Sequence, residues 1–141
     1  MFKKLLVPVD LGDTEVTKPA LEKAVGLAKS WDAELRLLYV MPIVPSTYLE
    51  YVPADFETGE KVRVDKELKD LVAGLGLPAG KVSTAVRSGG VYHEVLAEAS
   101  DAKCDLIICG SHHPTLATYL VGSHATNIAR HADCSVLVIR T

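Results

Sequence analysis

Two glycine-bearing turns carry the residues best suited to chemistry. Gly122-Ser123-His124 opens a stretch of helical period, and Gly110-Ser111-His112-His113 follows the most strand-like run of the chain. A helix that opens on glycine and serine offers backbone N–H groups without helical partners, a hydroxyl and the positive end of its dipole, which together suit a phosphate. The spacing alone leaves a blander reading open, because glycine at such corners also serves turn geometry and nothing more. Asp10 follows the first apolar run, and Asp13 stands three residues on. The two could share Mg²⁺, which keeps waters and borrows ligands from a nucleotide. Equally, Asp13 could cap the first helix.

Other chemistries fail on spacing. His112, His113 and His124 do not make a zinc site, since adjacent histidines point apart and no cysteine or carboxylate in that loop has ligand spacing. Ser111 between Gly110 and His112 lacks the G-x-S-x-G elbow of an acyl-transfer nucleophile. No G-x4-G-K-[ST] loop occurs, so no phosphate-binding lysine of that kind is present. His93 and His131 lie in helical stretches where a solvated or core-satisfied histidine is the ordinary case. Cys104, Cys109 and Cys134 are odd in number, have no C-x-x-C spacing and sit in or beside apolar runs, which reads as core. The other reading, a redox-sensing thiol, needs exposure and a lowered pKa.

The whole chain must position these groups. Its 141 residues, 48% of them apolar, make one domain over 1–141 with a proper core. A formal charge of −3 gives no general attraction to nucleic acid. The opening MFKKLLVPVD breaks its apolar run at Pro8 and Asp10, too soon for a signal-peptide core, and no apolar stretch is long enough to cross a bilayer. The expectation is a cytoplasmic protein with no membrane segment.

Strands and helices alternate. Leu5–Val9 and Leu106–Cys109 are apolar on both faces, as strands covered by helices on each side must be. Glu34–Val40, Lys81–Val86 and Val136–Ile139 are the other three strands. Val16, Ala20, Ala24, Leu27, Ala28 and Trp31 mark the first helix, with Thr17 as its cap because Pro19 belongs in a first turn. Val62, Leu68, Leu71, Val72 and Leu75 mark the second helix, Val91, Val95, Leu96 and Ala99 the third, and Val121, Ala125, Ile128, Ala129 and Ala132 the fourth. The prolines after Met41 make that segment a surface loop, and the loop from Met41 to Phe56 is the natural place for partner specificity. Five strands and four helices in alternation predict a parallel, doubly wound, Rossmann-like α/β sheet with helices on both faces. Ligands of such sheets sit beyond the carboxyl ends of strands where strand order reverses, which directs attention to Asp10, Val40 and the Gly110–His113 group.

PVDLGD after the first strand, Gly110-Ser111-His112-His113-Pro114 after the fourth, and Gly122-Ser123-His124-Ala125 leading to Arg130-His131-Ala132-Asp133-Cys134-Ser135-Val136-Leu137-Val138-Ile139-Arg140 resemble the universal stress protein family over essentially the whole chain. The resemblance implies strand order 3-2-1-4-5, a dimer, and an adenine nucleotide, ATP or ADP with Mg²⁺. It places Asp10 near the ribose or the metal and Val40 against adenine. Gly110, Gly122, Ser123 and His124 would hold ribose and phosphates, with Pro8, Val9, Ser111, His112 and His113 beside them. The family's nucleotide-binding members carry G-x2-G-x9-G-[ST]. Here His113 stands at the second glycine and eight residues separate it from Gly122, a shortened loop resembling that of a subgroup with a bulky residue at this position. The imidazole could contact the phosphates or crowd them.

The function expected is a nucleotide-dependent regulatory switch in the stress response, not a catalyst. The rivals are a slow ATPase or self-phosphorylating enzyme using Ser123 or Ser111, and a nucleotide-free interaction module. Val136, Leu137, Val138 and Ile139 would end the sheet as an exposed apolar edge, the surface the family's homodimers use. Whether dimers pair into tetramers stays open.

Overall fold

The computed structural model describes residues 1–12, 14–41, 56–111 and 123–140. Its strands are β1 (Lys4–Pro8), β2 (Glu34–Met41), β3 (Val82–Ser88), β4 (Leu106–Ser111) and β5 (Ser135–Arg140). Between them run α1 (Thr14–Trp31), α2 (Phe56–Ala73), α3 (Val91–Asp101) and α4 (Ser123–His131). The strands form one parallel sheet in the order β3-β2-β1-β4-β5, as expected. No helix among the described residues is long and apolar enough to cross a membrane.

The alternation of side chains along a strand explains why β1 and β4 are apolar throughout. Leu5 and Val7 enter one core cluster with Ala20, Ala24, Ala28, Leu35, Leu37 and Ile108. Leu6, one residue out of step, enters the other with Leu38, Val95, Ile107 and Ile128. Each fully buried leucine contributes roughly 1.5–3 kcal/mol. β1 is therefore anchored from both sides, and the residues just beyond its carboxyl end start from a fixed position.

Several boundaries differ from the sequence expectation. Helix α1 begins at Thr14, so Thr17 is not its cap and Pro19 lies inside the helix. Thr17 is buried because its hydroxyl is needed elsewhere, at Asp10. In α2 the inward residues are Val64 and Leu68, fully covered, whereas Val62 is 64% exposed. The series Val64, Leu68, Leu71/Val72, Leu75 keeps helical spacing without a gap, and Val62 does not belong to it. Strand β4 continues past Cys109, with Gly110 paired to Ile139 and Ser111 to Arg140. β3 extends to Ser88, and β2 to Met41. The loop expected from Met41 onward lies, from residue 42 to 55, outside the described residues.

Both α1 and α3 end on a left-handed residue that is not glycine, Asp32 (φ 52) and Lys103 (φ 57). In each case the next N–H reaches back five residues, Ala33 to the Ala28 carbonyl at 2.9 Å and Cys104 to the Ala99 carbonyl at 2.8 Å. This closure satisfies a helix-end carbonyl and turns the chain into the sheet. Asp32 also pairs with Lys81 at 3.3 Å.

Candidate functional site

The strand order reverses at β1: β2 and β3 lie on one side, β4 and β5 on the other. The carboxyl end of β1 is thus the switch point of the sheet. Val9, just past the strand, still donates its N–H to the Leu38 carbonyl at 2.8 Å and is buried. Pro8 pairs with Leu38, so Asp10, two residues beyond the end of β1, follows at the same carboxyl edge that Val40 reaches on β2 and Ser111 on β4. Val40 is in turn paired with Arg87, and Ser111 with Arg140. The carboxyl edge of the sheet thus gathers the pair Val40 and Arg87 on one side of Asp10 and the pair Ser111 and Arg140 on the other.

Asp10 is exposed but its backbone is tightly fixed. Its N–H donates to Thr17 Oγ1 at 2.8 Å, and the Thr17 hydroxyl donates to the Asp10 carbonyl at 3.3 Å. Its carboxylate Oδ1 accepts the Gly12 N–H at 2.9 Å, closing a turn two residues long. These contacts hold an exposed carboxylate just past the end of β1. One such carboxylate suits Mg²⁺ in the manner of nucleotide sites, where phosphates and water supply the remaining oxygens.

The β2 end is fixed by the next strand. The Met41 carbonyl accepts the Gly89 N–H at 3.1 Å. Gly89 has φ 144, and a Cβ there would lie 3.1 Å from the Glu94 side chain, so only glycine makes this turn without strain. Arg87 binds three carboxylates of α3: Glu94 at 3.3 Å, Glu98 at 3.5 Å and Asp101 at 2.6 Å. Burial alone would lower the Arg87 guanidinium, but its bonds to Glu94, Asp101 and Glu98 leave it raised above the ordinary value. Arg36 of β2 reaches the same Glu98 at 3.5 Å and donates to Ser83 at 2.9 Å. This network clamps α3 to β2 and β3. The acids fall at positions 94, 98 and 101, a helical spacing that was legible, but their shared target on β3 was not.

On the β4 side, Gly110 and Ser111 belong to the strand, with Ser111 only 1% exposed. Its hydroxyl is enclosed, which makes Ser111 a lining residue and not an open acceptor for phosphate. Ser123 begins α4, and Ala125 and Ile128 anchor that helix to the core while His124 is exposed. Arg130 and His131 in its last turn complement the negative end of the dipole. His112, His113, Gly122 and Asp13 lie outside the described residues. Among the described residues no three His, Cys, Asp or Glu side chains form a metal-binding group.

The thiols behave as core groups. Burial pushes Cys104 and Cys109 up to about 11 and raises Cys134 as well. His93 and His131 are both exposed, with the Tyr92 ring 4.1 Å from the first and 6.1 Å from the second.

Comparison with known proteins agrees with this architecture. Universal stress protein G of Shigella flexneri is 32% identical over 143 residues, covering 99% of this chain and all of that protein. The structure of the universal stress protein UspA from Lactobacillus plantarum superposes with a TM-score of 0.79 at 26% identity, covering 98% of this chain and 97% of the other. A universal stress protein solved in complex with cAMP shares the fold at a TM-score of 0.70 and 20% identity, over 99% and 97% of the two chains. The model of the universal stress protein family matches residues 1–140, and the chain belongs to that family.

Proposed function

We propose that this protein binds an adenine nucleotide, ATP or ADP with Mg²⁺, at the carboxyl edge around Val40, Asp10 and Ser111, and that occupancy regulates what its surface presents to a partner. The observation that carries the reading is the sheet register itself. Together with the Thr17 bonds it brings an exposed carboxylate whose backbone is held, a half-buried apolar residue and a buried hydroxyl to one carboxyl edge, at the switch point of a parallel sheet. Adenine would lie toward Val40 and the ribose and metal toward Asp10. The phosphates would meet Gly110, Ser111 and the opening of α4, where Gly122, Ser123 and His124 stand in sequence. That a fold neighbour was solved with cAMP supports the choice of an adenine nucleotide.

The reading is of a switch, not an enzyme. No phosphate-binding lysine motif occurs in the sequence, and the hydroxyl of Ser111 is enclosed. Positioning alone leaves little to accelerate phosphoryl transfer. The active form would be a homodimer through β5, whose Val136, Leu137, Val138 and Ile139 remain half-buried in the single chain.

Calorimetric titration of nucleotide-stripped protein with ATP and Mg²⁺ tests the site. Micromolar binding is expected, weakened about tenfold in Asp10→Asn, the loss of one charge-assisted contact, and abolished in Gly122→Val. Equal affinity in all three proteins, or none in the wild type, would sink the proposal.

A further inference from the structure

Two arginines stand at the carboxyl edge of the sheet, one on each side of Asp10, in opposite electrostatic situations. Arg87, paired with Val40 between β3 and β2, is bound by Glu94, Glu98 and Asp101 of α3. Its charge is fully balanced inside the fold. Arg140, paired with Ser111 between β5 and β4, is exposed, and among the described residues its guanidinium meets no carboxylate and no other acceptor.

The side that Arg140 takes follows from the pleat. Side chains alternate along β5, and Val136 packs with Ile107, Val95 and Ile128 on the face of the sheet covered by α3 and α4. Arg140 keeps step with Val136 and belongs to that face. Ser111 keeps step with Ile107 on β4 and belongs to it too. Neighbouring strands lie ~4.8 Å apart, so the Arg140 side chain starts one strand away from Ser111. Helix α4 packs on the same face through Ile128 and ends at His131, just before β5 begins at Ser135. It therefore runs back from the carboxyl edge, and its opening at Ser123 is the end turned toward Arg140.

A nucleotide at this edge brings a charge that the residues described so far do not answer. ATP stays anionic with Mg²⁺ bound, and Asp10 is itself a carboxylate. The opening of α4 supplies only partial charge, and the sequence has no phosphate-binding lysine loop. A guanidinium is always charged, and its planar fork can hold two phosphate oxygens at once.

We propose that Arg140 is the counter-charge for the distal phosphates of the bound nucleotide and makes the site prefer ATP and ADP over AMP. The inference rests on the adenine-nucleotide reading and adds a residue and a selectivity to it. The first phosphate, next to the ribose, stays with Gly110 and the opening of α4. Later phosphates extend from β4 toward β5, where Asp10 with its metal holds them from one side and Arg140 from the other. AMP has nothing to place there. Arg87 cannot stand in, because it lies on the far side of Asp10 and is tied to α3.

The test is calorimetry on the nucleotide-stripped full chain, comparing wild type, Arg140→Gln and Arg140→Lys with ATP, AMP and adenosine at two salt concentrations. Arg140→Gln should lose about tenfold in ATP affinity, while AMP and adenosine change by no more than about twofold. Arg140→Lys, which keeps the charge without the fork, should fall between. Added salt should weaken ATP binding more in the wild type than in Arg140→Gln. An equal loss for ATP and AMP would make Arg140 a residue of the scaffold and overturn the proposal. Unchanged ATP affinity in Arg140→Gln would overturn it and leave the nucleotide site standing. No ATP binding by the wild type would remove the nucleotide reading and this inference with it.

Discussion

Thr17 grips the backbone of Asp10 from both sides, its Oγ1 accepting the Asp10 N–H at 2.8 Å and donating to the Asp10 carbonyl at 3.3 Å. The contact spans seven residues and crosses from the end of β1 to the second turn of α1. Replacing Thr17 with Val keeps the shape and removes both bonds, leaving a half-buried N–H without its partner. Thermal or urea unfolding should show a loss of about 1–2 kcal/mol, and nucleotide titration a clear drop in affinity. Thr17→Ser should restore most of both. An unchanged affinity in the Val variant would mean that Asp10 is not held in this way when it binds.

The clamp on α3 yields a salt-dependent prediction. Glu98 is 6% exposed and lies between Arg36 and Arg87, whose side chains are 22% and 24% exposed. Glu98→Gln leaves two guanidinium groups facing a neutral amide. Because solvent reaches both arginines, the cost should be about 1–3 kcal/mol, below that of a fully enclosed pair. Denaturant melts at low and high salt check it: the gap between variant and wild type should narrow as salt rises.

Alkaline pH should weaken the fold through its thiols. Cys104 and Cys109 titrate near 11 in the folded chain, against 9.0 for a free thiol. A raised folded value means that the folded state holds its protons longer than the unfolded one. The associated stability is complete below pH 9 and disappears as pH climbs through about 11. The expected loss is at most about 2–3 kcal/mol for each thiol. Cys109→Ala should show a shallower alkaline decline than wild type in melts taken between those limits under reducing conditions; an identical slope would remove Cys109 from the account.

Val64 and Val62 are the same residue type two positions apart on α2, one fully buried and one 64% exposed. Val64→Ala should cost about 1–3 kcal/mol by lost burial and an unfilled space. Val62→Ala should stay within about 0.5 kcal/mol of wild type. Paired chemical melts decide whether the helix is docked by this face.

A charge on β5 tests association. Val138 is half-buried and pairs with Cys109 in register. Val138→Glu should shift the light-scattering mass of a dimer toward that of a monomer without unfolding the chain. A dimer unaffected by the substitution would place the interface elsewhere.

The parallel sheet and its both-sided apolar strands were legible because Leu5, Leu6 and Val7 leave no polar face, as a covered parallel strand requires, whereas the strand order came from the family resemblance. Thr17 was misread because cap preference and a nearby Pro19 are local signals, whereas its real partner is set by how α1 folds back on β1. Gly110 reads as a break in a one-dimensional pattern, yet pairing with Ile139 keeps it in the ladder. Asp10, Val40 and Ser111 could each be singled out from their positions after apolar runs. That they share one edge could not, since register belongs to pairs of strands.

The carboxyl edge also separates two things that proteins usually trade against each other. Val40 and Ser111 take their places from ladder hydrogen bonds, and Asp10 from a register continued by the Val9 bond to Leu38. Gly12, Thr17 and Gly89 add their own bonds to this alignment, and the ladders carry the rest. Residues farther along the connections can therefore change in number or composition while the spacing at the sheet edge stays constant. A lineage could vary those outer stretches freely without moving the residues at the edge.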